Sequence, residues 1–151
     1  NSRAKLSVIS SVLTLIPLSR KPTPSSFKAT LDRCREFISE GGRVLVSYPE
    51  GTRNLNENLA PFKRGPASLA IRLGLPILPG HIDGTGQVLP KGRMLPRASP
   101  IRVHFGAPIH AAQAVDTNDP KSASSALNSL LQDTIIRLAQ STAGANEPNK
   151  T

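Results

Sequence analysis

Tyr48-Pro49-Glu50-Gly51-Thr52-Arg53 follows the apolar run Val44-Leu45-Val46 and precedes Pro61-Phe62-Lys63-Arg64-Gly65. A short apolar run reads as a buried strand, and Pro49, which has no N–H to donate, ends it. Glu50 then stands at a strand end. Gly51 has no Cβ, so another group can approach its backbone closely. Arg53 offers a planar fork of donors that matches two phosphate oxygens. Lys63 and Arg64 add charge, and Gly65-Pro66 opens a helix whose N-terminus favours an anion. The same residues also suit a structural turn carrying a Glu50–Arg53 surface ion pair, and composition alone favours that plainer reading.

On the N-terminal side, residues 4–10 read as a short helix and 12–18 as a buried strand. Pro22 and Pro24 mark a loop. Ser25 or Ser26 caps a helix from about Phe27, with Phe27, Leu31, Cys34 and Ile38 on one face. Gly41 and Gly42 end it. On the C-terminal side, residues 54–59 form a polar loop and a helix runs from Pro66 to Leu73, ended by Gly74. Residues 76–82 read as a buried strand, 83–100 as a long loop and 101–105 as an alternating strand. Asp119-Pro120 supplies the cap and first turn of a final helix over 120–140, with Leu127, Leu130, Leu131 and Leu138 on its apolar face.

This alternation predicts an α/β fold, a layered sheet with flanking helices and mainly parallel pairing. In such folds the crevice lies past the carboxyl ends of strands, where Arg20, Glu50 and Gly51 all fall. The length suits one domain with one core over residues 1–140, and 141–151 read as a disordered tail.

The chain carries a net charge of +9, held entirely by residues 1–110, so the body suits anionic partners such as lipid headgroups or phosphorylated substrates. Aromatic residues make up 3%, too few for a platform that stacks single-stranded bases, and no nucleic-acid recognition motif is present. One cysteine, Cys34, excludes an internal disulfide or a cysteine metal cluster, and its place on an apolar stripe predicts a buried, inert thiol. No metal ligand set and no apolar stretch long enough to span a bilayer is found.

The ordered set of motifs resembles the PlsC-type glycerolipid acyltransferases. Tyr48 to Arg53 is similar to the family's third block, Phe-Pro-Glu-Gly-Thr-Arg, with Tyr48 in the Phe place. Leu15-Ile16-Pro17-Leu18-Ser19-Arg20 resembles the second block, with Ser19 where Asp is usual. Leu75-Pro76-Ile77-Leu78-Pro79 resembles the fourth, and Val103 to Ile109 the late strand and turn. The resemblance implies that Arg20, Glu50, Gly51 and Arg53 bind the glycerol-phosphate headgroup, with Thr52 shaping the turn and Lys63 adding charge. The fourth block is associated with the acyl side and with packing. For Ile77 and Leu78 a core-strand role weighs at least as much as acyl contact.

The resemblance also implies a reaction. A His acting as general base, oriented by an Asp five residues later, would take the acceptor's hydroxyl proton as that hydroxyl attacks an acyl thioester. His81, His104 and His110 are followed five residues later by Gly86, Ile109 and Val115, so none fits. His81 and His104 read as packed strand residues. The expectation is a sequence that begins downstream of the catalytic pair, from a parent O-acyltransferase of phospholipid biosynthesis, and a chain that by itself lacks turnover. The acceptor would be 1-acylglycerol 3-phosphate, the co-substrate acyl-CoA or acyl-carrier protein, with no other cofactor. Glycerol 3-phosphate or another lysophospholipid is the alternative acceptor, and a non-catalytic phospholipid-binding domain the alternative class. The basic body would rest on an anionic membrane surface, on its cytoplasmic face.

Overall fold

The computed structural model describes residue 16 and residues 23–52, 59–90, 94–116 and 118–144. Where length suggests one core, the chain divides into two compact units, Asn1–Val46 and Ser47–Thr151. The predicted elements over 4–10 and 12–18 and the 54–59 loop fall wholly or mostly outside the described residues.

The first unit contains helix α1 (Pro24–Ser39). Its cap is Thr23, two to three residues ahead of the serines expected for the role. Thr23 Oγ1 accepts from the Ser26 N–H at 3.1 Å while Ser26 Oγ accepts from the Thr23 N–H at 2.9 Å. This reciprocal box satisfies two donors at the helix start, with Ser26 where Glu or Gln is usual. Pro24 then occupies the first turn, where no N–H is missed. Leu31 and Cys34 are buried as their spacing predicts, and Thr30 is buried with them. Burial pushes the Cys34 thiol up from its ordinary value, which keeps it protonated and unreactive at neutral pH. The helix ends at Glu40, and Gly41 turns the chain at φ +92°.

Val44-Leu45-Val46 is not a strand, contrary to the pattern. Val44 and Val46 are 71% and 77% exposed, so the run is not buried either. A strand exists by pairing, and among the described residues this run has no ladder partner.

The second unit comprises α2 (Gly65–Leu73), β1 (Gly80–Asp83), α3 (Thr85–Val88), β2 (Arg102–Phe105), α4 (Ala111–Ala114) and α5 (Pro120–Gly144). β1 and β2 pair antiparallel, with Gly80 opposite Phe105 and His81 opposite His104. Between these two strands the pairing is not the parallel one that the alternation suggests. Parallel neighbours are usually joined by a crossover helix, and among the described residues the connection here holds only the four residues of α3, inside the segment read as pure loop. The strand predicted over 76–82 is broken as well, because Pro79 cannot donate to a ladder. Ile77 bridges Ile109 through bonds of 2.9 and 2.8 Å. Two residues separate Ile77 from Gly80, whereas three separate Phe105 from Ile109, so the second strand carries a one-residue bulge at its proline-containing end.

One face of this sheet packs on α5, and the methyl Cδ1 of Leu138 would lie 3.3 Å from a Cβ placed on Gly106. The other face carries Ile82, Val103 and Phe105, each more than 40% exposed, and the Phe105 ring lies across Gly80. Helix α5 holds the unit together. Ala67 and Ala70 of α2 and Ala123 and Leu127 of α5 are buried, and Ser68 Oγ meets Ser124 Oγ at 3.0 Å between the two helices. Small side chains let the two helix axes approach. Further along, Leu131 and Ile135 form a core with Phe62, flanked by Leu59, Ile77 and Ile109. Asp119 caps α5 as expected, accepting from the N–H groups of Lys121 and Ser122 at 3.1 and 3.3 Å. The Ser122 hydroxyl and then these two amides hold its carboxyl below the usual carboxylate range. The helix runs through Gly144, past the boundary expected at 140.

His81 and His104 share the helix-facing side of the sheet, as packed strand residues should. His104 Nε2 is shielded from solvent without a hydrogen-bond partner. An unsatisfied buried polar atom costs about 1–3 kcal/mol. His104→Leu is therefore expected to leave thermal stability at neutral pH unchanged or raised by about 1 kcal/mol. A clear loss in thermal unfolding would show that the imidazole contributes more than its volume.

Candidate functional site

The six-residue motif begins as a tight turn. The Gly51 N–H donates to the Tyr48 carbonyl at 3.0 Å, closing a four-residue loop with Pro49 at its second position and Gly51 at its fourth. Glu50 keeps a negative φ, as a type I turn requires, and Gly51 adopts φ +65°. Only glycine takes that conformation without strain, so sequence and backbone agree at this position.

Two bonds fasten the turn to the segment after the loop. The Lys63 N–H donates to the Pro49 carbonyl at 2.8 Å, and Glu50 Oε2 accepts from the Ala60 N–H at 2.9 Å. That segment is in turn fastened to α5. Phe62 is buried in the core, its N–H donates to Gln132 Oε1 at 3.3 Å, and its carbonyl accepts from Asn128 Nδ2 at 3.1 Å. Lys63, next in the chain, is exposed, and its side chain folds back over Gly51. A Cβ on Gly51 would stand 2.9 Å from the Lys63 Cδ, Cε and Nζ atoms alike. The absent side chain of Gly51 is thus the space the lysine occupies. An ammonium group, a glycine backbone and a half-buried carboxylate meet at one turn, supported from beneath by a long helix.

Among the residues singled out from sequence, the structure brings together Glu50, Gly51 and Lys63. Thr52 is exposed beside them. Arg20 and Arg53 lie outside the described residues. Glu50 has a structural partner in the Ala60 amide, a use that the headgroup reading did not foresee. Asn128 and Gln132 were not singled out either. Each sits on the buried or half-buried side of α5 next to Leu127 and Leu131, and a polar residue within an apolar stripe was the available signal. His110 precedes the short helix α4, and Asp116 accepts from the Asn118 N–H at 3.0 Å. Among the described residues no group of His, Cys, Asp and Glu is arranged to hold a metal ion. Ile77 packs on the core and Leu78 is 54% exposed, so the fourth block divides between packing and surface.

The sequence profile of the family described as Acyltransferase matches residues 6–83, just over half of the chain. A chloroplastic 1-acyl-sn-glycerol-3-phosphate acyltransferase of Brassica napus is 34% identical over 105 residues, covering 69% of this chain and 30% of the relative. Its counterpart in Arabidopsis thaliana is 33% identical over the same length, covering 69% and 29%. A 1-acyl-sn-glycerol-3-phosphate acyltransferase of Pseudomonas aeruginosa is 32% identical over 100 residues, covering 66% and 38%. The chain thus spans about a third of the length of the curated relatives it matches. The crystal structure of the 1-acyl-sn-glycerophosphate acyltransferase PlsC from Thermotoga maritima aligns with a TM-score of 0.62 at 19% identity, over 83% of this chain and 46% of that one. At that identity the likeness establishes the fold alone.

Proposed function

The chain belongs to the acyltransferase family, and from that premise we propose that the protein acylates 1-acylglycerol 3-phosphate in phospholipid synthesis, with the turn from Tyr48 to Arg53 and Lys63 receiving the acceptor's phosphate. The observation that carries this reading is Lys63 folded over the bare backbone of Gly51, at a turn pinned by Glu50. A phosphate needs fixed donors and positive charge where its oxygens arrive, and an ammonium supplies up to three donors. The acyl donor is a thioester, acyl-CoA or acyl-carrier protein, and no other cofactor takes part. Arg20 and Arg53 complete the phosphate site in this proposal. Among the described residues no histidine has a carboxylate partner, so the proton acceptor is assigned to none of His81, His104 and His110. The basic body rests on an anionic membrane surface, and among the described residues no helix is long and apolar enough to cross a membrane.

Arg53→Ala in the full protein tests the phosphate assignment. A lost charge-assisted pair should raise the acceptor KM by about 10- to 100-fold, while the donor KM stays unchanged. Equal loss for both substrates would sink the assignment.

A further inference from the structure

We propose that Asn128 and Gln132 of α5 are positioning residues for the acceptor site: two amide side chains that hold the peptide carrying Lys63 and so set where its ammonium meets the acceptor's phosphate. The inference rests on the phosphate reading of Lys63, and it extends that site to two residues that act on it through the backbone.

The first observation is how completely the backbone before Lys63 is held. Pro61 has no N–H, and each of the other amides from Ala60 to Lys63 has a partner. Ala60 donates to Glu50 Oε2 at 2.9 Å, Phe62 to Gln132 Oε1 at 3.3 Å and Lys63 to the Pro49 carbonyl at 2.8 Å. The peptide joining Phe62 to Lys63 is gripped on both edges. Its N–H meets Pro49 in the turn, and its carbonyl accepts from Asn128 Nδ2 at 3.1 Å. A peptide unit is planar, so holding both edges restrains the direction in which the Lys63 side chain leaves the chain. Asn128 and Gln132 are four residues apart and therefore share one face of the helix. Together they take the carbonyl and the N–H of a single residue, Phe62, whose side chain is buried in the core.

The second observation is that stability does not account for Asn128. It is 9% exposed on a helix whose other buried residues include Leu127, Leu131 and Ile135. The Phe62 carbonyl takes its Nδ2, which leaves Oδ1 shielded from solvent with no hydrogen-bond partner among the described residues. A shielded oxygen without a partner costs about what one hydrogen bond returns, and asparagine is a poor helix former besides. An apolar residue would serve the fold as well. What Asn128 supplies and leucine cannot is a donor aimed at the carbonyl of the Phe62–Lys63 peptide.

The test is steady-state kinetics of the full protein, with acceptor and donor varied separately, beside thermal unfolding. Asn128→Leu should raise the acceptor KM about fivefold and leave the donor KM unchanged. Its unfolding midpoint should stay near the parent's, because the burial and helix propensity of leucine offset the lost bond. Gln132 is half-buried and gives a second pair of variants. Gln132→Met should raise the acceptor KM about threefold, and Gln132→Glu, which keeps an accepting oxygen, should recover most of that loss. In a Lys63→Ala background neither Asn128→Leu nor Gln132→Met should raise the acceptor KM further. An unchanged acceptor KM, equal loss for both substrates, losses that add fully to that of Lys63→Ala, or Gln132→Glu behaving as Gln132→Met would each overturn the proposal. Should Asn128→Leu fail to fold, the Gln132 variants and their cycle with Lys63→Ala decide. The phosphate assignment is judged separately: a raised acceptor KM in Arg53→Ala with none in the α5 variants would keep that assignment and reject this inference.

Discussion

Leu127→Ala should destabilise the second unit by about 2–5 kcal/mol, the largest single effect expected in the molecule. Leu127 is fully buried on α5, between the alanine contact with α2 and the Leu131–Ile135 core. Truncation removes its transfer energy and leaves a cavity that two helices cannot close without losing contacts elsewhere. Thermal unfolding should show the midpoint falling by roughly 10 °C or more. Leu127→Met, which keeps the volume, should cost less than about 1.5 kcal/mol. A small effect from the alanine variant would mean that α5 is not the support of this unit. The consequence would reach the site, because α5 holds Phe62 through Asn128 and Gln132.

Gly51→Ala should produce the second large effect, this time on binding. The new side chain meets two obstacles. The backbone sits at φ +65°, where an L-residue costs about 1–2 kcal/mol, and the space is already held by the Lys63 side chain. Lys63 is flexible and will give way, so the fold survives while the ammonium moves off the turn. The acceptor KM should then rise about tenfold or more in the full protein, with the donor KM little changed. The cycle with Lys63→Ala separates the causes. If displacement of Lys63 is the reason, the two substitutions together should weaken acceptor binding little more than Lys63→Ala does alone. Full additivity would show that the glycine acts through the backbone and not through the lysine. The backbone strain appears separately, as lost thermal stability that persists in the absence of Lys63.

Local signals were legible where a residue's own chemistry sets its place. Gly41 and Gly74 stop helices because both adopt left-handed conformations. Asp119 caps α5 through its own carboxylate. Leu31 and Cys34 are buried at the spacing their stripe requires. The Ser25 or Ser26 cap was misplaced because Thr23 competes for the same amides and Pro24 fits the first turn behind it. Pairing was not legible in this way. Val44-Leu45-Val46 has the composition of a central strand, yet composition does not supply a neighbour. The alternating elements suggest parallel pairing, yet β1 and β2 pair antiparallel, with a single short helical turn among the described residues of their connection.

For the candidate site, the sequence by itself determined the motif: an acid, a glycine and cations in fixed order, with the glycine where the backbone needs one. Residue type and local order are enough for that, since a turn closes within four residues. Only the tertiary structure decided that Lys63 reaches the turn. It placed Lys63 there, twelve residues beyond Gly51, because Phe62 is buried against α5 and the intervening amides are tied back to Glu50 and Pro49. That placement depends on burial and hydrogen bonds between segments up to seventy residues apart in sequence, which no local pattern encodes.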